Sequence, residues 1–337
     1  MQSIVVKRPI SMKDVAEHLG VSKATVSRAL NGKSEIPART RKKINQACEQ
    51  LGYHLNTNIQ DLVMKSRSGK TRNIGFVLVE RDFSDPAYAA LMDGIAQGTK
   101  EIQYNLMMIK LEGDETNVYD LPPLLRDGRL DGILVSGNLS SAIMDTLKKL
   151  DIEIVVLGNY SPMIVKDVNN IQKNIEKQAY NLVEIAKNAN CKRIAMFEEV
   201  TNNYRNIQAY NYIKAATQEY GLEFKSENFY QGTVPYSGAT VIMKPVLRQK
   251  VLPFDCIICW DFRTAEELAA LILGRCGLDT EPDLKIIVPR PYPHFKLSIS
   301  GLYLEDNSSN IALIGMEKLM EQLKNKSKIH NPIQIKV

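Results

Sequence analysis

Seven short apolar runs, separated by stretches with helical spacing, constrain this chain more than any other feature. They are Ile74–Val79, Leu106–Leu111, Gly132–Val135, Ile154–Leu157, Ile194–Phe197, Cys256–Cys259 and Ile286–Val288. Between them lie the helical segments Tyr88–Ile102, Ala142–Leu150, Ile175–Lys187, Asn206–Tyr220 and Ala265–Leu273. Short unbroken apolar runs suit strands buried on both faces, and strands joined through helices pair in parallel. Residues 73–337 are therefore predicted to be α/β, with parallel sheets, helices on both faces and enough chain for two lobes.

Before Asn73 the pattern is helical throughout. Ser11 and Asp14 make a capping-box-like start, and Val15, Ala16 and Leu19 form one apolar face. Gly20 permits a tight turn. Ser22 caps a second helix with Val26, Ala29 and Leu30 facing inward, and Asn31-Gly32 ends it. A third helix is predicted from about Pro37 to Leu51, with Gly52 as its stop. Three helices this short bury little core, so the head is expected to be marginally stable. Thr57 to Lys65 has the pattern of a short helix that needs a partner surface to form, and Ser66–Lys70 reads as a basic linker. The predicted organisation is an all-α helix-turn-helix domain over 1–56, a hinge helix and linker over 57–72, and a core over 73–337. Within the core the first lobe is expected at about 73–165 and 292–325, and the second at about 166–291 and 326–337.

Charge separates the same two regions. Residues 1–72 carry 14 Lys/Arg against 5 Asp/Glu, whereas residues 73–337 carry 29 against 33. A basic head on a mildly acidic body implies that one end meets a polyanion. No apolar run is long enough to span a bilayer, and Met1–Pro9 lacks the apolar stretch of a signal peptide, so a cytoplasmic location is expected. The five cysteines are scattered and odd in number, which suits buried reduced thiols.

A helix that reads DNA must present hydrogen-bonding side chains outward while its back packs on a neighbour. The second predicted helix turns Lys23, Ala24, Ser27 and Arg28 outward. Lys23 and Ala24 sit at its start, where side chains reach deepest into a major groove, and Arg28 suits guanine or phosphate. Ser22, Thr25 and Ser27 are short donors fit for phosphate, and Arg39, Thr40, Arg41, Lys42 and Lys43 form a basic cluster at the next helix start. A small bundle with a solvated basic face is the plainer alternative. The agreement of charge, order and spacing favours duplex DNA as the partner.

On Asp14-Val15-Ala16, Gly20-Val21-Ser22, Thr25-Val26-Ser27-Arg28 and Leu51-Gly52-Tyr53, the head resembles the lactose-repressor/galactose-repressor (LacI/GalR) family of bacterial regulators. The match is specific over 11–62 and looser beyond. The resemblance implies a homodimer, sometimes a dimer of dimers, on a palindromic operator, and a core like a periplasmic binding protein that senses a small molecule, often a sugar. It also implies a hinge helix that folds on DNA, with Leu62 as the wedge into the minor groove after Asn56. Ser11, Asn31, Tyr53 and Asn56 complete the DNA-contact set. Two departures stand in the hinge. Leu55 replaces a usual proline, and Ile59 and Asp61 fill places the family gives to alanine and a polar or basic residue.

The core departs further. Arg205 matches the family arginine that grips effector hydroxyls or a carboxylate. Trp260-Asp261 stands where the family has Asn-Asp, Pro289-Arg290-Pro291 where it has Gly-Phe-Asp, and Lys173-Asn174 where Asp-Asn is common. Convergence of Arg205, Trp260, Arg290 and Lys173 would make a cationic, aromatic pocket with Asp261 beside it, suited to an anionic effector; a sugar, or a core that has lost sensing, are the other readings.

No catalytic set, cofactor or metal is predicted. Cys256 and Cys259 have C-x-x-C spacing, but in a strand they point to opposite faces and have no second ligand pair. Ser68-Gly69-Lys70-Thr71 resembles the end of a phosphate loop without its first glycine. The reading is a ligand-responsive DNA-binding repressor. A transport solute-binding protein would lack the basic head, and a two-lobed sugar-processing enzyme would need a phosphate loop and a catalytic carboxylate.

Overall fold

A computed structural model describes residues 10–30, 35–51, 70–199, 204–232, 238–276, 284–290, 294–305, 308–324 and 334–337. The chain divides into two units, Met1–Lys70 and Thr71–Val337. The predicted hinge helix over Thr57–Lys65, and with it Asn31, Tyr53, Asn56 and Leu62, lies outside the described residues.

The head consists of α1 (Met12–Leu19), α2 (Lys23–Leu30) and α3 (Ala38–Leu51). The capping box forms as read. The Ser11 N–H donates to Asp14 Oδ2 at 2.7 Å, and the Asp14 N–H donates back to Ser11 Oγ at 3.4 Å. Gly20 ends α1 at φ 64°, a left-handed turn that lets the Val21 N–H close on the Ala16 carbonyl at 3.0 Å. Ser22 caps α2 by accepting the Thr25 N–H at 3.0 Å. Pro37 opens α3, its carbonyl accepting the Arg41 N–H. One small core holds the three helices: Val15, Ala16, Val26, Ala29, Ile44, Ala47 and Cys48.

The core unit has two fully parallel sheets. The first has the order β11-β5-β4-β3-β1-β2, from β1 (Asn73–Val79), β2 (Asn105–Leu111), β3 (Gly132–Gly137), β4 (Glu153–Leu157), β5 (Asn169–Gln172) and β11 (Gln334–Lys336). The second has the order β10-β9-β8-β6-β7, from β6 (Arg193–Glu199), β7 (Glu223–Gly232), β8 (Cys256–Cys259), β9 (Lys285–Arg290) and β10 (Gly301–Glu305). The described helices are α4 (Pro86–Glu101), α5 (Pro123–Arg126), α6 (Ser141–Leu147), α7 (Ile175–Asn188), α8 (Tyr204–Glu219), α9 (Gly238–Leu247), α10 (Phe262–Cys276) and α11 (Ser308–Lys324). Every residue of β1 is buried. Val77 and Val79 enter the cluster on one face of its sheet, and Ile74, Phe76 and Leu78 the cluster on the other. The second sheet is likewise sandwiched, with Phe197 and Val288 on one face and Met196 and Ile287 on the other. Burial on both faces is why these strands read as unbroken apolar runs.

Several boundaries differ from the sequence reading. Thr71 and Arg72 belong to the core, not to a linker: the Thr71 N–H and the Arg72 N–H both donate to the Asp131 carboxylate, at 2.6 and 2.9 Å. The first lobe extends through β5 at Gln172, beyond the expected edge at 165, because Val155–Leu157 pair with Asn169–Ile171. In the stretch 292–325, expected in the first lobe, β10 instead pairs with β9 of the second sheet. In 326–337, expected in the second lobe, β11 instead pairs with β5 of the first. The strands β5, β7, β10 and β11 carry polar or mixed residues and so show no apolar run. Their pairing is decided by neighbouring strands.

Candidate nucleic-acid interface and ligand pocket

In the head, α2 has two faces with different work. Val26 and Ala29 are buried in the small core, while Ser22, Lys23, Ala24 and Arg28 are exposed, with Thr25 and Ser27 half-buried. Ser22, Lys23 and Ala24 gather at the N-terminal turn of α2, where the helix dipole also favours an anion, and Arg28 lies in its last turn. On α3, Arg39, Lys42 and Lys43 are exposed. Thr40 is half-buried, as is Arg41, whose guanidinium donates to the Ile36 carbonyl at 3.4 Å. Ser11 is exposed but committed to its capping box, its hydroxyl donating to Asp14 at 2.6 Å.

In the core, a cavity of about 140 Å³ opens at the C-terminal ends of both sheets. It lies where strand order reverses, between β1 and β3 in one sheet and between β6 and β8 in the other. Crevices outside the carboxyl ends of parallel strands at such points are where open α/β sheets bind ligands. The first sheet contributes Asp85, Tyr88, Ser136 and Asn159; the second contributes Arg205, Trp260, Asp261 and Arg263; Lys173 and Gln178 lie near the passage between them. Gly137, on the wall, has φ 108°, and a side chain there would collide with the Val79 carbonyl.

Part of this lining is framework. Asn159 holds the Lys173 backbone with two bonds, donating to its carbonyl at 2.8 Å and accepting its N–H at 3.1 Å. The Tyr160 hydroxyl donates to Gly137 O at 2.8 Å, and burial pushes its phenol far above the usual range. Ser136 Oγ donates to Leu157 O. Gln178 keeps a buried amide oxygen, Oε1, without a protein partner.

Of the five residues expected to converge, four do. Arg205, Trp260, Asp261 and Lys173 line the cavity. Arg290 is not among its lining residues. It ends β9 in register with Glu305 of β10, and it donates to that carboxylate at 2.9 Å while stacking 4.4 Å over the Tyr303 ring. Arg290 thus drops out of the expected cationic, aromatic set, while Arg263 joins it. Arg205 is already paired with fully buried Glu198 at 3.0 Å, and Asp85 adds a carboxylate to the wall. Asp261 accepts the Thr264 N–H at 2.7 Å as the cap of α10, and burial raises its carboxyl above the ordinary range. The sequence reading missed Asp85, Tyr88, Gln178 and Arg263. Their signal was positional, just past apolar runs or early in the following helix.

Comparison with known proteins agrees with both halves. Residues 11–56 match the family described as bacterial regulatory proteins, lacI family. Residues 71–287 match the periplasmic binding proteins and sugar binding domain of the LacI family. Catabolite control protein A of Priestia megaterium is 26% identical over 285 residues, covering 82% of this chain and 81% of its own length. The HTH-type transcriptional regulator MalR of Streptococcus pneumoniae is 26% identical over 331 residues, covering 93% and 92%. The lac repressor dimer bound to operator and an anti-inducer superposes with a TM-score of 0.72 at 16% identity, covering 98% and 97%. The regulator CelR in complex with cellobiose superposes with a TM-score of 0.66 at 16% identity, covering 97% of each chain. Matched by its family over both the head and most of the core, this chain belongs to the LacI family: it is a DNA-binding transcriptional regulator, not an enzyme.

Proposed function

We propose that the chain is a homodimeric repressor of the bacterial cytoplasm that occupies a palindromic operator and is released or retained by a sugar or sugar derivative in its core. The observation that carries the DNA reading is the split of α2 into a buried back, Val26 and Ala29, and an exposed front, Lys23, Ala24 and Arg28. Lys23 and Ala24 read base edges; Arg28 engages guanine or phosphate; Ser22, Thr25, Ser27 and Thr40 hold phosphates. Ser11, Asn31, Arg41, Tyr53 and Asn56 complete the contacts, and Leu62 wedges the operator centre. A two-fold dimer sets the half-sites about one helical turn apart or less.

The pocket supports a neutral polyhydroxylated effector over an anionic one. Trp260 offers an apolar face, and the Gln178 amide oxygen needs a donor such as a hydroxyl. Arg205 is charge-compensated by Glu198. Any effector acts only through its differential affinity for the two arrangements of the lobes.

Anisotropy on operator fragments selected from random DNA tests the first half. Arg28→Ala should lose about 1–3 kcal/mol of operator affinity with an unchanged melting curve, and the wild type should weaken steeply with salt. Full affinity in Arg28→Ala would overturn the role given to Arg28. A thermal-shift screen of neutral sugars against sugar acids and sugar phosphates tests the second. Stabilisation by the anionic set alone would reverse the effector class.

A further inference from the structure

Cys256 and Cys259 face opposite sides of the second sheet, in separate clusters. The thiol that Cys256 does meet is that of Cys191, just before β6. The Cys191 and Cys256 sulfurs and a carboxylate oxygen of Asp255 all lie within 4.8 Å of one another. Cys191 is 4% exposed and Cys256 is fully buried. The cluster stands at the N-terminal ends of β6 and β8, the end of the sheet away from the ligand pocket.

Asp255 is held from two sides. Its Oδ1 accepts the N–H groups of Lys192 and Arg193, both at 3.0 Å, and its Oδ2 accepts the Lys192 N–H at 3.1 Å, with Arg193 Nε at 3.8 Å. A carboxylate offers about four lone-pair directions, so one on Oδ2 remains for a further partner. Lys285 anchors its ammonium on Ala189 O at 2.7 Å close by.

We propose that Cys191, Cys256 and Asp255 form a binding site for a thiophilic divalent cation of the zinc and cadmium type, with water as the fourth ligand. Tetrahedral zinc with Zn–S near ~2.3 Å and Zn–O near ~2.1 Å sets its ligand atoms about 3.5–3.8 Å apart. Atoms already within 4.8 Å need to close by about an ångström or less. Thiolate ligands select such ions over magnesium or calcium. Two thiolates and a carboxylate around a divalent ion leave one net negative charge, which Lys285 and Arg193 offset. Binding is M²⁺ plus two thiols giving a dithiolate complex and two protons, with no redox change. Asp131 takes the Thr71 and Arg72 N–H groups in the first sheet in the same way, so the carboxylate itself is framework; what the second sheet adds is a pair of sulfurs within reach of it. Because its ligands come from the starts of two strands, a bound ion stabilises the folded second sheet.

The test uses the full chain with a phosphine reductant. Cadmium titration should develop the ultraviolet thiolate-to-cadmium band, saturating at one ion per chain, and zinc should raise the melting temperature while releasing protons. Cys191→Ser and Cys256→Ala should each abolish band and shift; Asp255→Asn should weaken binding on the order of 10–100-fold. Cys259→Ala should keep both signals. If Cys256→Ala does not fold, Cys191→Ser, just before β6 and outside the strand ladder, still decides the matter. A wild-type chain without the band, a band that persists in Cys191→Ser, or a pair that only forms a disulfide with hydroperoxide while binding no ion would each overturn the site.

Discussion

The two units place function on opposite sides of the burial boundary. In the head, Lys23, Ala24 and Arg28 of α2 are exposed, and a cluster around Ile44 packs the helices without them. In the core, the pocket residues are enclosed between sheets whose faces are filled by four clusters, and several lining groups are framework bonds as well. At the exposed front of α2, though not at the caps Ser11 and Ser22, function and folding are therefore separable, whereas in the core they are entangled. A binding face on a small bundle can change its reading residues without touching its packing. A pocket at the ends of buried strands cannot.

The contrast can be broken first at the two cores. Phe197→Ala, fully buried in the second sheet, should cost about 3–5 kcal/mol and lower the core's unfolding transition, while Ile44→Ala should cost about 2–5 kcal/mol from the head alone. Calorimetry resolves them: a head variant that moved the core transition as far as its own would end the separation. A smaller effect is expected at the cap of α2. Ser22→Ala removes the acceptor of the Thr25 N–H and should cost about 1 kcal/mol of head stability, visible as loss of helical signal on heating and modestly weaker DNA binding. The smallest effect sharpens the core side. Burial raises the Asp261 carboxyl in the folded state, so the folded chain holds that proton more tightly and ionisation opposes folding as pH rises. Asp261→Asn keeps a side-chain oxygen for the Thr264 N–H. It should melt slightly higher than wild type at pH 7, with the difference fading as pH falls toward about 4. A difference that grew on acidification would contradict the burial argument.

Legibility followed the same divide. The capping box at Ser11, the left-handed Gly20 and the Ser22 cap are local devices spaced three residues or fewer apart, or set by one residue's φ, so the chain spells them out. Runs such as β1 and β8 were legible because burial on both faces favours apolar residues throughout the strand, whereas β2 buries only Ile109 and Leu111 and leaves Met108 and Lys110 exposed. The pocket was legible only in part. Trp260 and Arg205 stood out by type, whereas Asp85 and Arg263 have residue types found anywhere on a surface and owe their place to loops that topology brings together. Arg290 misled for the converse reason: its type suited a pocket, but register placed Glu305 beside it.

By itself, then, the sequence determined the class of each unit, the caps and turn of the reading helices, the outward face of α2 and the strands buried on both sides. These rest on periodicity and contacts within a turn or two of chain. Tertiary structure alone decided that β10 joins the second sheet and β11 the first, that Arg205 spends its charge on Glu198, and that Cys191 and Asp255 meet Cys256. Those outcomes join residues far apart in sequence or depend on which edge a strand finds. Parallel pairing and long-range burial, not local preference, choose among them.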